Sequence, residues 1–144
     1  NLYRGEKAAV FTLCIKNRVL VFVTDELFRH LEMIFVNSVT KTGCFSYVYL
    51  FMPDHCHLFI QGSCGDADLW KCIVDFKQRS GYWFRKSNLP GQWQKDFYDH
   101  ILRKEEDIQK QVRYILENPV RKGIADNWEN YPYKGSTIYN FNEW

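Results

Sequence analysis

Residues 45–61 read FSYVYLFMPDHCHLFIQ, and this stretch decides the fold. Residues 45–51 are almost all aromatic or β-branched, which predicts a strand. Met52-Pro53-Asp54 is a tight turn. Residues 55–61 predict a second strand. So short a connection allows only an antiparallel hairpin. Upstream, residues 8–15 (AAVFTLCI) predict another strand. Thr24 is placed to cap a helix whose positions Leu27, Leu31, Ile34, Phe35 and Ser38 recur at helical spacing and which Gly43 closes. Downstream, Asp66 is a possible start for a helix with Leu69, Cys72, Ile73, Phe76 and Trp83 on one face, weakened near its end by Gly81. Residues 92–103 are read as a short strand followed by a loop. A last helix runs from about Lys104 to Asn118, where Pro119 ends it. The tail from about Trp128 is aromatic without a pattern and is expected to be irregular. The order strand, helix, strand, strand, helix, strand, helix is that of an α+β, ferredoxin-like split βαβ fold. It predicts an antiparallel sheet, helices on one face, and an extra C-terminal helix, all in a single domain over residues 1–144.

Composition sets the bounds. The 144 residues are 46% hydrophobic and 17% aromatic, enough for a packed core. The net charge of +2 does not announce a nucleic-acid binder, so any DNA affinity must come from local patches. Five cysteines, odd in number and without a CxxC pair, indicate neither a disulfide framework nor a zinc ribbon. Reduced thiols in a cytosolic protein are the expectation. No apolar run is long enough to span a bilayer and no signal-peptide pattern is present, so no membrane partner is expected.

His55 and His57 lie two apart on a strand, so both imidazoles point to the same face. Two neutral imidazoles on one face can grip one cation. Cys56 and Leu58 then point the other way, toward a core. Alone, such a pair more often means two half-buried polar residues.

Tyr114 lies in QVRYILENPVRKGI, residues 111–124. On a helical wheel Ile108, Val112, Ile115 and Leu116 cluster on one side, and Tyr114 points away from them. Asn118 follows by four residues and falls on the tyrosine's face. Its amide oxygen is a candidate metal ligand or phosphate-orienting group. A surface tyrosine before an Asn-Pro helix stop is the plainer alternative. On the second helix Lys71, Gln78 and Arg85 are spaced by seven opposite the apolar face. They read first as a solvated face and second as a track for a phosphate backbone. Trp93, Tyr98 and Trp128 are candidate stacking residues for unpaired bases. His30 and His100 are assigned to structure. Tyr98 is the competing nucleophile.

Together these residues resemble a known family. Met52-Pro53-Asp54-His55-Cys56-His57-Leu58 resembles the MPNHxHL signature of single-tyrosine HUH transposases. Tyr114 to Gly123, YILENPVRKG, is similar to the YIxxNPVRAG block of their REP-associated tyrosine transposase (IS200-like) branch, as is Trp93 to Asp107. The resemblance spans nearly the whole chain. Asp54 stands where Asn is usual, and Asn118 where better-studied members carry a glutamine ligand.

The resemblance implies a DNA transposase-type endonuclease and strand-transferase. Tyr114 would be the nucleophile, with Mg²⁺ or Mn²⁺ held by His55, His57 and Asn118, and cleavage would pass through a 5′-phosphotyrosine. It further implies single-stranded DNA containing hairpins as substrate, a homodimer, and a bacterial or archaeal cytoplasmic, nucleoid-associated setting. Two alternatives stay open: a catalytically silent nucleic-acid-binding module of the same descent, and a metal-dependent hydrolase in which Tyr114 is incidental.

Overall fold

The computed structural model describes residues 2–21 and 23–144. β1 (Ala8–Cys14) leads through a short 3-10 turn to α1 (Asp25–Lys41). The hairpin β2 (Cys44–Met52) and β3 (His55–Gly62) follows, then α2 (Leu69–Lys86), β4 (Tyr98–Ile101), α3 (Ile108–Leu116), the single turn α4 (Asn118–Arg121) and β5 (Lys134–Gly135). The sheet order is β4-β1-β3-β2-β5, with every pairing antiparallel. β3 lies between β1 and β2, and β1 between β3 and β4, which is the split βαβ arrangement.

Strand alternation divides the interior into two cores. Phe11, Leu13, Tyr49, Phe51, Cys56, Leu58 and Ile60 face α1 and α2. Val10, Val48, Leu50, Met52 and Phe59 face the other way and are covered by Val112, Ile115 and Leu116 of α3. The expectation of helices on one face therefore holds for α1 and α2, whereas α3 lies across the opposite face. His55, His57 and Phe59 alternate with Cys56, Leu58 and Ile60, so the histidines belong to the α3 side.

Several boundaries differ from the sequence reading for local reasons. Thr24 caps α1 as expected, its hydroxyl accepting from the Leu27 amide at 3.2 Å. The cap of α2 is Asp68, not Asp66: Asp68 accepts from the Lys71 amide at 3.0 Å, while Ala67 is buried. Residues 92–103 hold their strand at the far end, Tyr98–Ile101, after an irregular stretch. α3 begins four residues later than read, because Asp107 caps it through the Lys110 amide.

Pro119 has no N–H to give to the preceding turn, so α3 stops at Leu116. The chain does not leave helical geometry there. Pro119 sits in the first turn of α4, where a missing N–H costs nothing. The tail is largely loop, as expected, but it docks. β5 pairs with β2, and Tyr131, Tyr139, Phe141 and Trp144 pack on the second core.

Candidate active site

The turn at Pro53 and Asp54 delivers His55 to the first position of β3. The Asp54 carbonyl accepts from the Ile15 amide and the Pro53 carbonyl from the Val21 amide, each at 2.8 Å, which fixes the strand start. His55 is buried and His57 part-buried.

Each ring is held through Nδ1. His55 Nδ1 lies 2.7 Å from Asp54 Oδ1, and His57 Nδ1 lies 3.2 Å from Thr12 Oγ1. A proton on Nδ1 serves the carboxylate and leaves the Nε2 lone pair free. Both Nε2 atoms then meet one group, the buried Asn118 amide. Its Nδ2 is 2.8 Å from His57 Nε2 and 3.3 Å from His55 Nε2. The rings sit edge to face, 5.0 Å apart. Asp54 is itself held by Arg18, Nε to Oδ2 at 2.9 Å. Burial works against the Asp54 charge, but hydrogen bonds to His55 and Arg18 prevail and hold its carboxyl below the usual value.

Asn118, at the start of α4, is buried. Tyr114, one turn earlier, is 61% exposed, and its hydroxyl makes no hydrogen bond among the described residues. One is thus exposed and the other buried although they lie one turn apart. Arg121 links them. Its guanidinium lies 3.9 Å above the Tyr114 ring, and its Nη2 donates to Asn118 Oδ1 at 3.4 Å. His57 is pulled down to about 3, first by burial, with the neighbouring His55 imidazole and the positive charges of Arg121 and Lys122 also disfavouring a second charge there. The mouth of the site is therefore cationic although the chain as a whole is nearly neutral.

Lys71, Gln78 and Arg85 are exposed on α2, across the sheet from the histidines, and the fold does not bring them to the site. The cations that do lie there, Arg18, Arg121 and Lys122, were missed, as were Thr12 and Asp54 as ring-holding partners. Thr12 was recoverable in principle, since it pairs directly with His57 once the β1–β3 register is known. His30 stacks on Trp83 at 4.0 Å, and His100 pairs with Glu106 at 2.8 Å.

Among the described residues no three His, Cys, Asp or Glu side chains are grouped to hold a metal ion. The donor set at this site is instead two imidazoles and an amide. Half a turn of the amide presents Oδ1 to the rings in place of Nδ2. Two Nε2 lone pairs and a carbonyl oxygen suit a divalent cation that keeps positions for water and phosphate oxygens. The residues fit such an ion.

Residues 8–118 match the family described as "Transposase IS200 like". The chain belongs to that family. It is 26% identical over 146 residues to a Haemophilus influenzae protein assigned to the REP-associated tyrosine transposases, covering 85% of this chain and 76% of the relative. It is 25% identical over 126 residues to the REP-associated tyrosine transposase of Escherichia coli K12, covering 85% and 72%. The fold resembles that of a REP-associated tyrosine transposase solved bound to a REP hairpin, with a TM-score of 0.74, 22% identity, and 92% and 78% of the two chains covered. A Deinococcus radiodurans protein assigned as a transposase shares the fold at a TM-score of 0.54 and 21% identity, with 78% and 90% covered.

Proposed function

We propose that this member of the IS200-like transposase family is a metal-dependent endonuclease and strand-transferase acting on single-stranded, hairpin-containing DNA, with Tyr114 as nucleophile. The observation that carries the reading is the convergence of His55 Nε2 and His57 Nε2 on the Asn118 side chain, one helical turn beyond Tyr114. That cluster is cationic at its mouth, which suits a phosphodiester. The hairpin is taken from the relative solved with one.

His55, His57 and Asn118 would hold Mg²⁺ or Mn²⁺. The ion would supply Lewis-acid stabilisation of charge on a non-bridging phosphate oxygen. Asp54 keeps the His55 imidazole in the tautomer and orientation that binding requires, and Thr12 orients the His57 ring. Arg18, Arg121 and Lys122 would draw and position the anionic backbone.

Tyr114 Oη attacks phosphorus, the P–O3′ bond breaks, and the departing 3′ oxygen takes up a proton. The phenol's proton passes to solvent. The product is a 5′-phosphotyrosine, and attack by a 3′-hydroxyl reverses the step, so rejoining needs no nucleotide cofactor. Incubation with hairpin DNA and Mn²⁺ followed by a denaturing gel tests this. The expected result is a protein–DNA adduct. Free water-derived ends without adduct would favour the hydrolase alternative, and binding without cleavage the silent module.

A further inference from the structure

Tyr98 differs from the other candidate stacking residues. Trp93 is packed against Phe76 and Phe84, and its indole N–H donates to Ser80 at 2.8 Å. Trp128 leans on Phe141 and is covered by Lys134. Tyr98, at 70%, is the most exposed large hydrophobic side chain among the described residues, and it has no hydrogen bond or ring contact among them. A bare ring on an edge strand adds little to the stability of the fold.

Its place in the register supplies a reason. Tyr98 pairs with Thr12 on β1, and Thr12 pairs with His57 on β3. Residues directly opposite one another in antiparallel strands project from the same face. Tyr98, Thr12 and His57 therefore form one row across the sheet. At about 4.8 Å between strands, the Tyr98 backbone lies about 10 Å from that of His57. The residue between them is small, and its hydroxyl is committed to His57 Nδ1. No large side chain of the row stands between the tyrosine and the histidines.

Arg18 sits beside this row. Its Nε donates to Asp54 Oδ2 at 2.9 Å and its Nη1 reaches Cys14 Sγ, two residues along β1 from Thr12, at 3.5 Å. With Arg121 and Lys122 near His57, the rim around the row is cationic. An exposed ring on a sheet face, beside fixed positive charge, is how proteins receive an unpaired base while holding its phosphate.

We propose that Tyr98 is the platform on which an unpaired base of the single-stranded DNA stacks when the neighbouring phosphate lies at the His55, His57 and Asn118 cluster. The proposal rests on the reading of that cluster as the phosphate-handling site. It makes Tyr98 a substrate-binding residue and not a second nucleophile. Stacking reads the face of a base and not its edge, so the contact contributes affinity and placement without strong sequence preference.

The test uses the full chain carrying Tyr114→Phe, so that bound DNA is not cut. Hairpin oligonucleotides with a single-stranded flank carry 2-aminopurine at successive flank positions, and fluorescence is followed during titration with protein and Mn²⁺. The expected result is strong quenching at one flank position. That quenching persists in Tyr98→Phe and Tyr98→Trp and is lost in Tyr98→Leu, whose affinity falls roughly 5- to 150-fold, the range for one stacked base. Far-UV circular dichroism checks that the exposed substitutions leave the fold intact. Quenching undiminished in Tyr98→Leu, or quenching at no flank position, overturns the proposal. Failure of the nuclease reading is separate: it shows as no covalent adduct in the protein that retains Tyr114.

Discussion

Replacing Asp54 with alanine isolates the support beneath the metal site. The carboxylate touches no proposed ligand atom. It holds His55 through Nδ1 at 2.7 Å and is held by Arg18 at 2.9 Å. Losing it frees the His55 ring to rotate and removes the acceptor that fixes the proton on Nδ1. Changes to such supporting groups lower metal affinity about 10- to 100-fold, or about 1.4–2.7 kcal/mol. Fold stability should move much less. The Arg18 side chain is about half exposed, so its ion pair with Asp54 is worth at most about 1 kcal/mol. Asp54→Asn keeps an oxygen to accept from Nδ1 and loses only the charge, so its loss of affinity should stay under about tenfold. Mn²⁺ binding followed by electron paramagnetic resonance, with urea unfolding in parallel, measures both effects. Asp54→Ala binding Mn²⁺ as tightly as the parent would refute the support argument. So would an affinity loss that merely tracks unfolding.

In metal-free protein, His57 stays neutral down to about 3 while the unfolded chain takes up its proton near 6.5. The unfolded state therefore binds more protons between these values. Stability should be fully present above about pH 6.5 and fall on acidification by up to about 1.4 kcal/mol per pH unit. Urea midpoints at pH 7.5 and 5.5 check this, and His57→Gln should flatten the difference. Tyr131→Phe removes the buried hydroxyl that donates to the Phe51 carbonyl and should cost about 1–2 kcal/mol in thermal or urea unfolding; no change would mean that the tail is not docked through that bond. Among the described residues β4 pairs on one side only, and a homodimer is expected by light scattering at working concentration, a monomer mass counting against it.

The sheet was legible because its signal is local. The β2–β3 turn dictates antiparallel pairing, and the alternation through His55, Cys56, His57 and Leu58 separates ligand face from core face. The facing of α3 was not legible. Its apolar stripe of Val112, Ile115 and Leu116 could cover either side of the sheet, and only the second core of Val10, Leu50 and Phe59 chooses. Asn118 was picked out by spacing from Tyr114, yet that spacing does not say which of the two is buried. It is buried against His55 and His57, and that depends on how the α3–α4 segment docks on the sheet. The cations at the mouth come from two segments far apart in sequence, Arg18 and the neighbours Arg121 and Lys122. The period-seven row Lys71, Gln78 and Arg85 was visible in sequence because it is local, but it lies across the sheet. Asp54 and Thr12 act on the rings through contacts whose geometry only the assembled β1–β3 pairing fixes.

The central claim is that Tyr114 forms a covalent bond to DNA at a site organised by His55, His57 and Asn118. The most direct measurement is capture of radiolabelled hairpin single-stranded DNA in Mn²⁺ on a denaturing gel, comparing the parent with Tyr114→Phe and Tyr98→Phe. Tyr114→Phe removes one exposed oxygen and should leave folding intact. The account predicts an adduct with the parent and with Tyr98→Phe, and none with Tyr114→Phe. A denaturation-resistant adduct formed by Tyr114→Phe would contradict it.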